Sequence, residues 1–277
     1  MAPKLITTEL ITKACKELHL NFSYATKNKT VLNIHFPNKD HFIINSNLGL
    51  ISSTKAHLCL DKAYQYEILS DVVNLPETTS YLDPHSKYSE FTKLKSHQEI
   101  KKDIINNNSF PIIVKKNTGT EGENVFLCHN EKELTKAINN IFNLNSSLYD
   151  HVLLVQEYIN IKNEYRAIFY KHQLELLYKK DNHQAEFIGN LSPLHFEGAK
   201  AIEISDQNLQ EKITKFVTPI FTKLDLIYGG FDIAEDQNGQ FYLIEINSVP
   251  GYAHYLENNR EEKLLTLFKK ILGDLNK

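Results

Sequence analysis

The dipeptide Asn238-Gly239 constrains the fold of this chain more than any other feature of the sequence. It lies between two apolar runs, Gly230 to Glu235 and Gln240 to Asn247, and Asn-Gly between such runs predicts a β-hairpin with a two-residue type I′ turn. That turn sets Gln237 opposite Gln240, and counting outward sets Asp232 opposite Glu245. Side chains alternate along a strand, so Asp232, Glu245 and Asn247 are expected on one face and Ile244 and Ile246 on the other. Facing residues have Cβ atoms about 5 Å apart, and like charges there repel. A divalent cation with oxygen ligands would remove the conflict. A solvated outer face, where both carboxylates stay in water, is the alternative.

Upstream, Pro111-Ile112-Ile113-Val114-Lys115 predicts a buried strand ending in a cation, followed by Gly119-Thr120-Glu121-Gly122 and the strand Asn124 to His129. A glycine loop between two strands can close over phosphates with its backbone N–H groups, and Lys115 adds a point charge. Glu121 and Glu123 must then point outward. An ordinary mobile hairpin with a surface lysine is the competing reading. Val152 to Ile159 runs from apolar to polar, and Glu164-Tyr165-Arg166 follows. Backbone groups near Glu157, Tyr158 and Ile159 could read a base edge, Glu164 could accept from hydroxyls, and Arg166 could stabilise a transferring phosphoryl group. A local Glu–Arg surface pair is the plainer reading. The chain has only two arginines, Arg166 and Arg260, among 31 basic residues, so the placement of Arg166 carries weight.

Bulk properties exclude several classes. The net charge of −3 argues against a nucleic-acid or membrane-surface protein. No run approaches a membrane span, and the N-terminus lacks a secretory apolar core. Cys15, Cys59 and Cys128 are odd in number and widely spaced, which predicts buried reduced thiols and a cytoplasmic protein. The 12 histidines show no ligand spacing. Helices are predicted over 8–20, 53–71, 131–142, 206–224 and 261–272, with strands over 30–36, 41–45 and 152–158 and a hairpin over 164–180. The stretch 81–108 reads as polar and partly helical. Mixed helices and antiparallel hairpins predict an α+β fold.

Taken in order, these segments resemble the ATP-grasp enzymes over nearly the whole chain. The resemblance rests on Leu60-Asp61-Lys62, Phe110 to Lys115 with Gly119-Thr120-Glu121-Gly122, Gln156 to Ile159 with Glu164, and Phe231-Asp232 with Tyr242 to Gly251. It is nearest in pattern to cyanophycin synthetases, glutamate ligases and glutathione synthetase-like domains. It implies two α+β lobes gripping ATP behind a short N-terminal α/β region, with boundaries at 1–54, 55–159 and 160–277. It implies a ligase that activates a carboxylate as an acyl phosphate and couples it to an amine of an amino acid or peptide, releasing ADP and phosphate. The implied cofactors are ATP and two magnesium ions, with manganese as a substitute.

The resemblance also implies roles. Lys62 and Lys115 hold phosphates under the loop of Gly119, Thr120, Glu121 and Gly122, while Glu157, Tyr158 and Ile159 form the adenine hinge and Glu164 meets the ribose. Lys179, or its neighbour Lys180, is a phosphate-side cation. Arg166 is catalytic, Asn190 belongs with it in the amino-acid and peptide ligase branch, and Asp232, Glu245 and Asn247 hold the metal. D-Alanine–D-alanine ligases place an arginine where Gly230 stands, which argues against that activity. A phosphotransferase and a non-catalytic ATP-binding adaptor stay open as alternatives. So does the oligomeric state, a homodimer among the options, and any larger catalytic partner is expected to be a separate protein.

Overall fold

The computed structural model describes residues 6–119 and 122–277. Helix α1 (Ile6–Glu17) buries Leu10, Ile11, Ala14 and Cys15. A small antiparallel sheet follows in the order β1 (Asn21–Tyr24), β2 (Val31–Phe36), β3 (Lys39–Ile44). The sequence predicts one helix over 53–71, but the structure has two, α2 (Ser53–Leu60) and α3 (Lys62–Leu69). Asp61 divides them. Its backbone is extended (φ −91°, ψ 106°), and its carboxylate accepts the N–H of Tyr64 at 2.9 Å. A short acceptor in extended backbone is what an N-cap requires, so Asp61 ends one helix and starts the next. Lys62 thereby becomes the first residue of α3.

The second sheet has the order β4-β7-β5-β6, from β4 (Thr78–Leu82), β5 (Ile112–Lys116), β6 (Val125–Cys128) and β7 (Val152–Glu157). Helices α4 (His97–Asn107) and α5 (Glu131–Ile141) bury Ile100, Ile104, Leu134, Ile138 and Ile141 together with Val114, Leu153 and Val155. Asn130 caps α5 by accepting from the N–H groups of Lys132 and Glu133.

The third sheet has the order β10-β9-β8-β11-β12, with β8 (Ile161–Tyr170), β9 (Gln173–Asp181), β10 (Lys200–Glu203), β11 (Tyr228–Asp236) and β12 (Phe241–Asn247). One face, through Phe169, Leu177, Phe231 and Ile233, packs on Ile213, Val217 and Ile220 of α6 (Gln207–Leu224). The other face, through Ile168, Tyr170, Leu176, Tyr178 and Tyr228, shares a core with α1, β2 and α8 (Glu262–Leu275), beyond the short helix α7 (Ala253–Asn258). The N-terminal unit and the last helix therefore brace the same sheet face.

The β11–β12 hairpin differs from the expected turn and still reaches the expected pairing. Its loop has three residues. Asp236 and Gln240 flank it, with Asp236 N–H to Gln240 O at 3.0 Å and Gly239 N–H to Asp236 O at 3.1 Å. Of the pair Asn238-Gly239, only Gly239 takes a positive φ, +81°. The carboxylate of Asp236 accepts from the N–H groups of both Asn238 and Gln240 at 2.8 Å, which favours the longer turn. The register is thus off by one near the loop, with Glu235 opposite Phe241. A β-bulge between Asp232 and Ile233 absorbs Ile244 and restores it, leaving Asp232 opposite Glu245. Because of the bulge, Leu243 rather than Ile244 joins Ile246 on the buried apolar face.

Candidate active site

Glu164, Arg166, Ile168 and Tyr170 alternate onto one face of β8, so the face that is apolar at Ile168 and Tyr170 turns ionic at Arg166 and Glu164. Register brings Arg166 beside Asp232 on β11 and Tyr178 on β9. Arg166 grips Asp232 with both ends of its fork, Nε to Oδ1 and Nη2 to Oδ2, each at 2.6 Å. Lys180 donates to Oδ2 of Asp232 at 2.7 Å and to Glu164 at 2.5 Å. Asp232 is 3% exposed. Burial works to raise its pKa, but the charges of Arg166 and Lys180 and their hydrogen bonds outweigh it and hold the carboxyl well below the usual range. Burial likewise works to lower Lys180, and Asp232 and Glu164 raise it instead. For Glu164 burial dominates and its pKa goes up.

The like-charge repulsion expected between Asp232 and Glu245 is therefore absent as a net force on Asp232, because two basic side chains already compensate it. Glu245 has different partners. Asn247 donates to Glu245 Oε1 at 3.1 Å, and the ammonium of Lys62 stands 3.4 Å from Oε2. Lys62 also donates to the carbonyl of Gly119 at 2.6 Å, which ties the start of α3 to the glycine loop. Lys115 is buried and donates to Gln156 Oε1 at 2.9 Å. Burial, with the nearby charge of Lys62, pushes Lys115 down to about 8, against the upward pull of Glu245 and Glu164.

The glycine loop is pinned at both roots. Asp150 accepts from the N–H and hydroxyl of Thr118, both at 2.8 Å, and Asn124 donates to Leu148 O at 3.2 Å. A Cβ at Gly119 would lie 2.5 Å from Cε of Lys116, so a side chain there would push that lysine aside. Glu123 turns away to pair with Lys116 at 3.1 Å. Gly122 has φ +72° and lies against Asn190 and Ser192, so the loop touches the segment that carries Asn190. Thr120 and Glu121 lie outside the described residues.

Of the residues expected from sequence, Lys62, Lys115, Glu164, Arg166, Asp232, Glu245 and Asn247 come together in one cluster. Lys179 does not join the cluster, because strand alternation points it to the other face, where it pairs with Asp181 at 3.1 Å; Lys180 takes the inward position. Glu164 accepts from Lys180 within this cluster. Glu157 ends β7, exchanges backbone contact with Glu77 (Glu157 N–H to Glu77 O, 2.8 Å), and accepts from Glu77 N–H through its carboxylate at 3.3 Å, while Tyr158 is exposed. Sequence reasoning gave no role to Asn117, Asp150 and Gln65, nor to Gln156 within its motif, and these hold the groups in place. Buried polar residues flanking the motifs were the available signal. At Gly230 a Cβ would meet Pro250 at 2.9 Å, so close packing excludes a side chain there.

The donor set fits a hard divalent cation. Asp232 carries three hydrogen bonds on oxygens that offer about four lone-pair sites, so one remains for a metal. Glu245 and the amide oxygen of Asn247 add further oxygen donors on the same strand pair. Among the described residues no three His, Cys, Asp or Glu side chains come together as ligands, so a cation here would need the amide of Asn247 besides the two carboxylates.

An α+β scaffold with a glycine hairpin facing a basic and acidic sheet end defines the ATP-grasp ligases. Residues 85–267 match the RimK-like ATP-grasp domain, and the chain belongs to that family. An uncharacterized protein of Mycoplasma pneumoniae is 24% identical, over 96% of this chain and 94% of its own. A RiPP-associated ATP-grasp ligase of Chryseobacterium gregarium, solved with ADP and a leader and core peptide, superposes with TM-score 0.61 at 14% identity, covering 99% of this chain and 95% of that one. A D-Ala:D-Ser ligase of Enterococcus faecalis superposes with TM-score 0.58 at 16% identity; the match covers 79% of this chain but only 61% of the ligase. The expectation of an α+β fold of the ATP-grasp family is thereby met. No helix among the described residues is long and apolar enough to cross a membrane.

Proposed function

We propose that ATP lies in the cleft between the β5–β6 hairpin and the end of the third sheet, and that an amino acid or peptide is the substrate. Backbone groups at Glu157 to Ile159 meet the adenine. Lys62 and Lys115 hold phosphate oxygens beneath the loop of Gly119 to Gly122. Asp232, Glu245 and Asn247 would hold magnesium, which supplies positive charge to the phosphates when bound. A substrate carboxylate oxygen attacks the terminal phosphorus and ADP leaves with the bridging oxygen. The amine then attacks the acyl carbon, phosphate departs, and the amine nitrogen gives up a proton. Arg166 and Lys180 offset negative charge developing in both steps. Glu164 keeps Lys180 charged and in place.

The observation that carries this reading is the convergence of Lys62, Lys115, Arg166 and Lys180 on two carboxylates and a glycine loop. Cations gathered in partly buried space favour a polyanion. We place the reaction in the cytosol, where the three buried, unpaired cysteines would stay reduced. The test is a screen of amino acids and short peptides with ATP and magnesium, following ADP and phosphate separately. Equal release of both, dependent on a carboxylate and an amine, is expected. ADP without phosphate would replace this reading with a phosphotransferase, and no turnover with any pair would remove it.

A further inference from the structure

Helix α3 is bound at one end to the glycine loop and along its side to the carboxylate strand. Its contacts run through two side chains that are almost fully buried. Asn117, 3% exposed, follows β5 and is held there by its own N–H on Val152 O at 3.2 Å. Its Oδ1 accepts the N–H of Ala63 at 2.9 Å. That N–H belongs to the first turn of α3, where amides have no partner within the helix. Gln65, 4% exposed, lies one turn along. Its Nε2 donates to Cys59 O at 2.7 Å, and its Oε1 accepts the N–H of Ile246 at 2.8 Å. Ile246 stands between Glu245 and Asn247 on β12, the edge strand of the third sheet. An edge strand has no ladder partner on its outer side, so this amide would otherwise be an unsatisfied buried donor.

The sequence distances matter. Asn117 to Ala63 spans 54 positions and Gln65 to Ile246 spans 181, so α3 connects parts of the chain that nothing local holds together. Lys62, just ahead of both ties, reaches both sides at once, to Gly119 O and towards Glu245.

We propose that Asn117 and Gln65 are positioning residues that lock α3 as a strut between loop and carboxylate strand. The strut sets the spacing between the phosphate-holding lysines and the oxygen donors Glu245 and Asn247. This inference rests on the assignment of nucleotide and metal to the cleft. Each tie has its own consequence. Asn117 fixes the loop root against Lys62 and governs nucleotide affinity with or without metal. Gln65 fixes the backbone between Glu245 and Asn247 and governs how far magnesium tightens that affinity.

Calorimetric titration with ADP, with and without magnesium, tests this in folded variants checked by circular dichroism. Gln65→Met, similar in shape but without the hydrogen bonds, is expected to lose about tenfold of the magnesium-dependent tightening while metal-free affinity stays within about twofold of wild type. Asn117→Leu is expected to weaken ADP about tenfold in both conditions, and Asn117→Asp, which keeps the acceptor, to restore most of it. Asn74→Ala serves as the control. Asn74 donates to Phe241 O on the same edge strand at 3.4 Å but makes no contact with α3 ties, and it should change neither affinity. If Gln65→Met keeps full magnesium tightening, or Asn74→Ala loses as much, the strut is overturned. If Asn117→Asp binds no better than Asn117→Leu, the Asn117 tie is overturned, and this arm decides even if Gln65→Met fails to fold. Wild type that binds no ADP would overturn the nucleotide assignment itself, a different outcome from any of these.

Discussion

At the sheet end of the site, Asp232 accepts three charge-assisted hydrogen bonds from Arg166 and Lys180 within the five-stranded sheet. At the loop end, Gly119 and Gly122 are held by contacts at the flanks, through Thr118 on Asp150, Asn124 on Leu148 O, and Lys62 on Gly119 O. The sheet end is satisfied before any ligand arrives, because each buried charge has an opposite partner. The loop end is anchored at its roots, by side chains on the flanking residues and by Lys62 on the carbonyl of Gly119. The difference teaches that charge in this site is prearranged on strands, so adjustment to a ligand is expected at the one short glycine loop. It also separates the two facing carboxylates: Asp232 is part of the structure, whereas Glu245, with its side chain 22% exposed, is poised for a ligand.

The largest expected effect tests that separation. Asp232→Asn should abolish ligation and also destabilise the ligand-free fold by about 3 kcal/mol, because Arg166 and Lys180 lose their buried counter-charge. Glu245→Gln should abolish ligation as well, yet change stability by less than about 1 kcal/mol, since its pairing with Lys62 is long and partly solvated. Urea denaturation of both variants checks this. Equal destabilisation, or a more stable Asp232→Asn, would erase the contrast between the two carboxylates.

Next in size is Arg166. Lysine can supply the charge but not the two parallel hydrogen bonds that Arg166 makes to Asp232. Arg166→Lys should lower kcat by roughly a hundredfold with a much smaller change in ATP KM, if its charge acts on the transferring group. Full activity would reduce Arg166 to a structural partner of Asp232.

The sequence made the strands and their alternation legible, and with them the ionic face. Alternation sets Glu164 with Arg166, and the hairpin sets Asp232 with Glu245, but only the β8–β11 pairing joins the two pairs. It did not make the compensating cation legible, because Lys179 and Lys180 are chemically equal and only the β9 register separates them. The hairpin was read correctly at Asp232 and Glu245 through two irregularities that cancel, a three-residue turn and a bulge at Ile244. Neither has a local signature strong enough to overrule Asn-Gly. The division of 53–71 at Asp61 was visible in principle, as Asp is a preferred N-cap, but apolar spacing continues across it. The short strands β1, β4 and β10 were missed because each has four or five residues and is held by its neighbours in the sheet rather than by its own pattern. The ties of α3 join residues up to 181 positions apart, a relation no periodicity encodes.

A smaller effect probes the boundary between the two ends, at Lys115. Its pKa is pushed down to about 8 from an ordinary 10.5 by burial and by Lys62. The unfolded chain therefore binds more protons between those values, and the ligand-free fold should gain stability as pH rises through that window. Below it, both states are protonated and the penalty is constant. Nucleotide phosphates favour the charged form, so ADP binding near pH 9 should take up part of a proton, at an affinity lower than at neutral pH. Calorimetry in two buffers of different ionisation enthalpy measures that uptake. Lys115→Met should abolish it and bind ADP on the order of tenfold more weakly. The same uptake in Lys115→Met would move the titrating group elsewhere.

The smallest expected effect concerns the loop itself. Gly122 has φ +72°, a conformation that L side chains rarely adopt, and a Cβ there would press on the amide oxygen of Asn190 and lie 3.0 Å from Ser192 Cβ. Gly122→Ala must therefore shift either the loop or the Asn190 segment. The backbone strain costs about 1 kcal/mol. The clashing Asn190 Oδ1 also accepts the N–H of Ser192 at 2.8 Å, so a shift there disturbs that turn as well. Stability should change little, because the loop carries none of the three buried cores. ADP affinity should fall by about threefold to tenfold, in line with the strain being met when the loop closes. Gly122→Asn, a residue that tolerates left-handed backbone better, should lose less if strain dominates and more if contact with Asn190 dominates. The pair of variants thus sorts conformational freedom from steric fit. If neither changes ADP affinity, the loop does not close over the nucleotide, and the contrast between a prearranged sheet end and an adaptable loop end fails on its loop side.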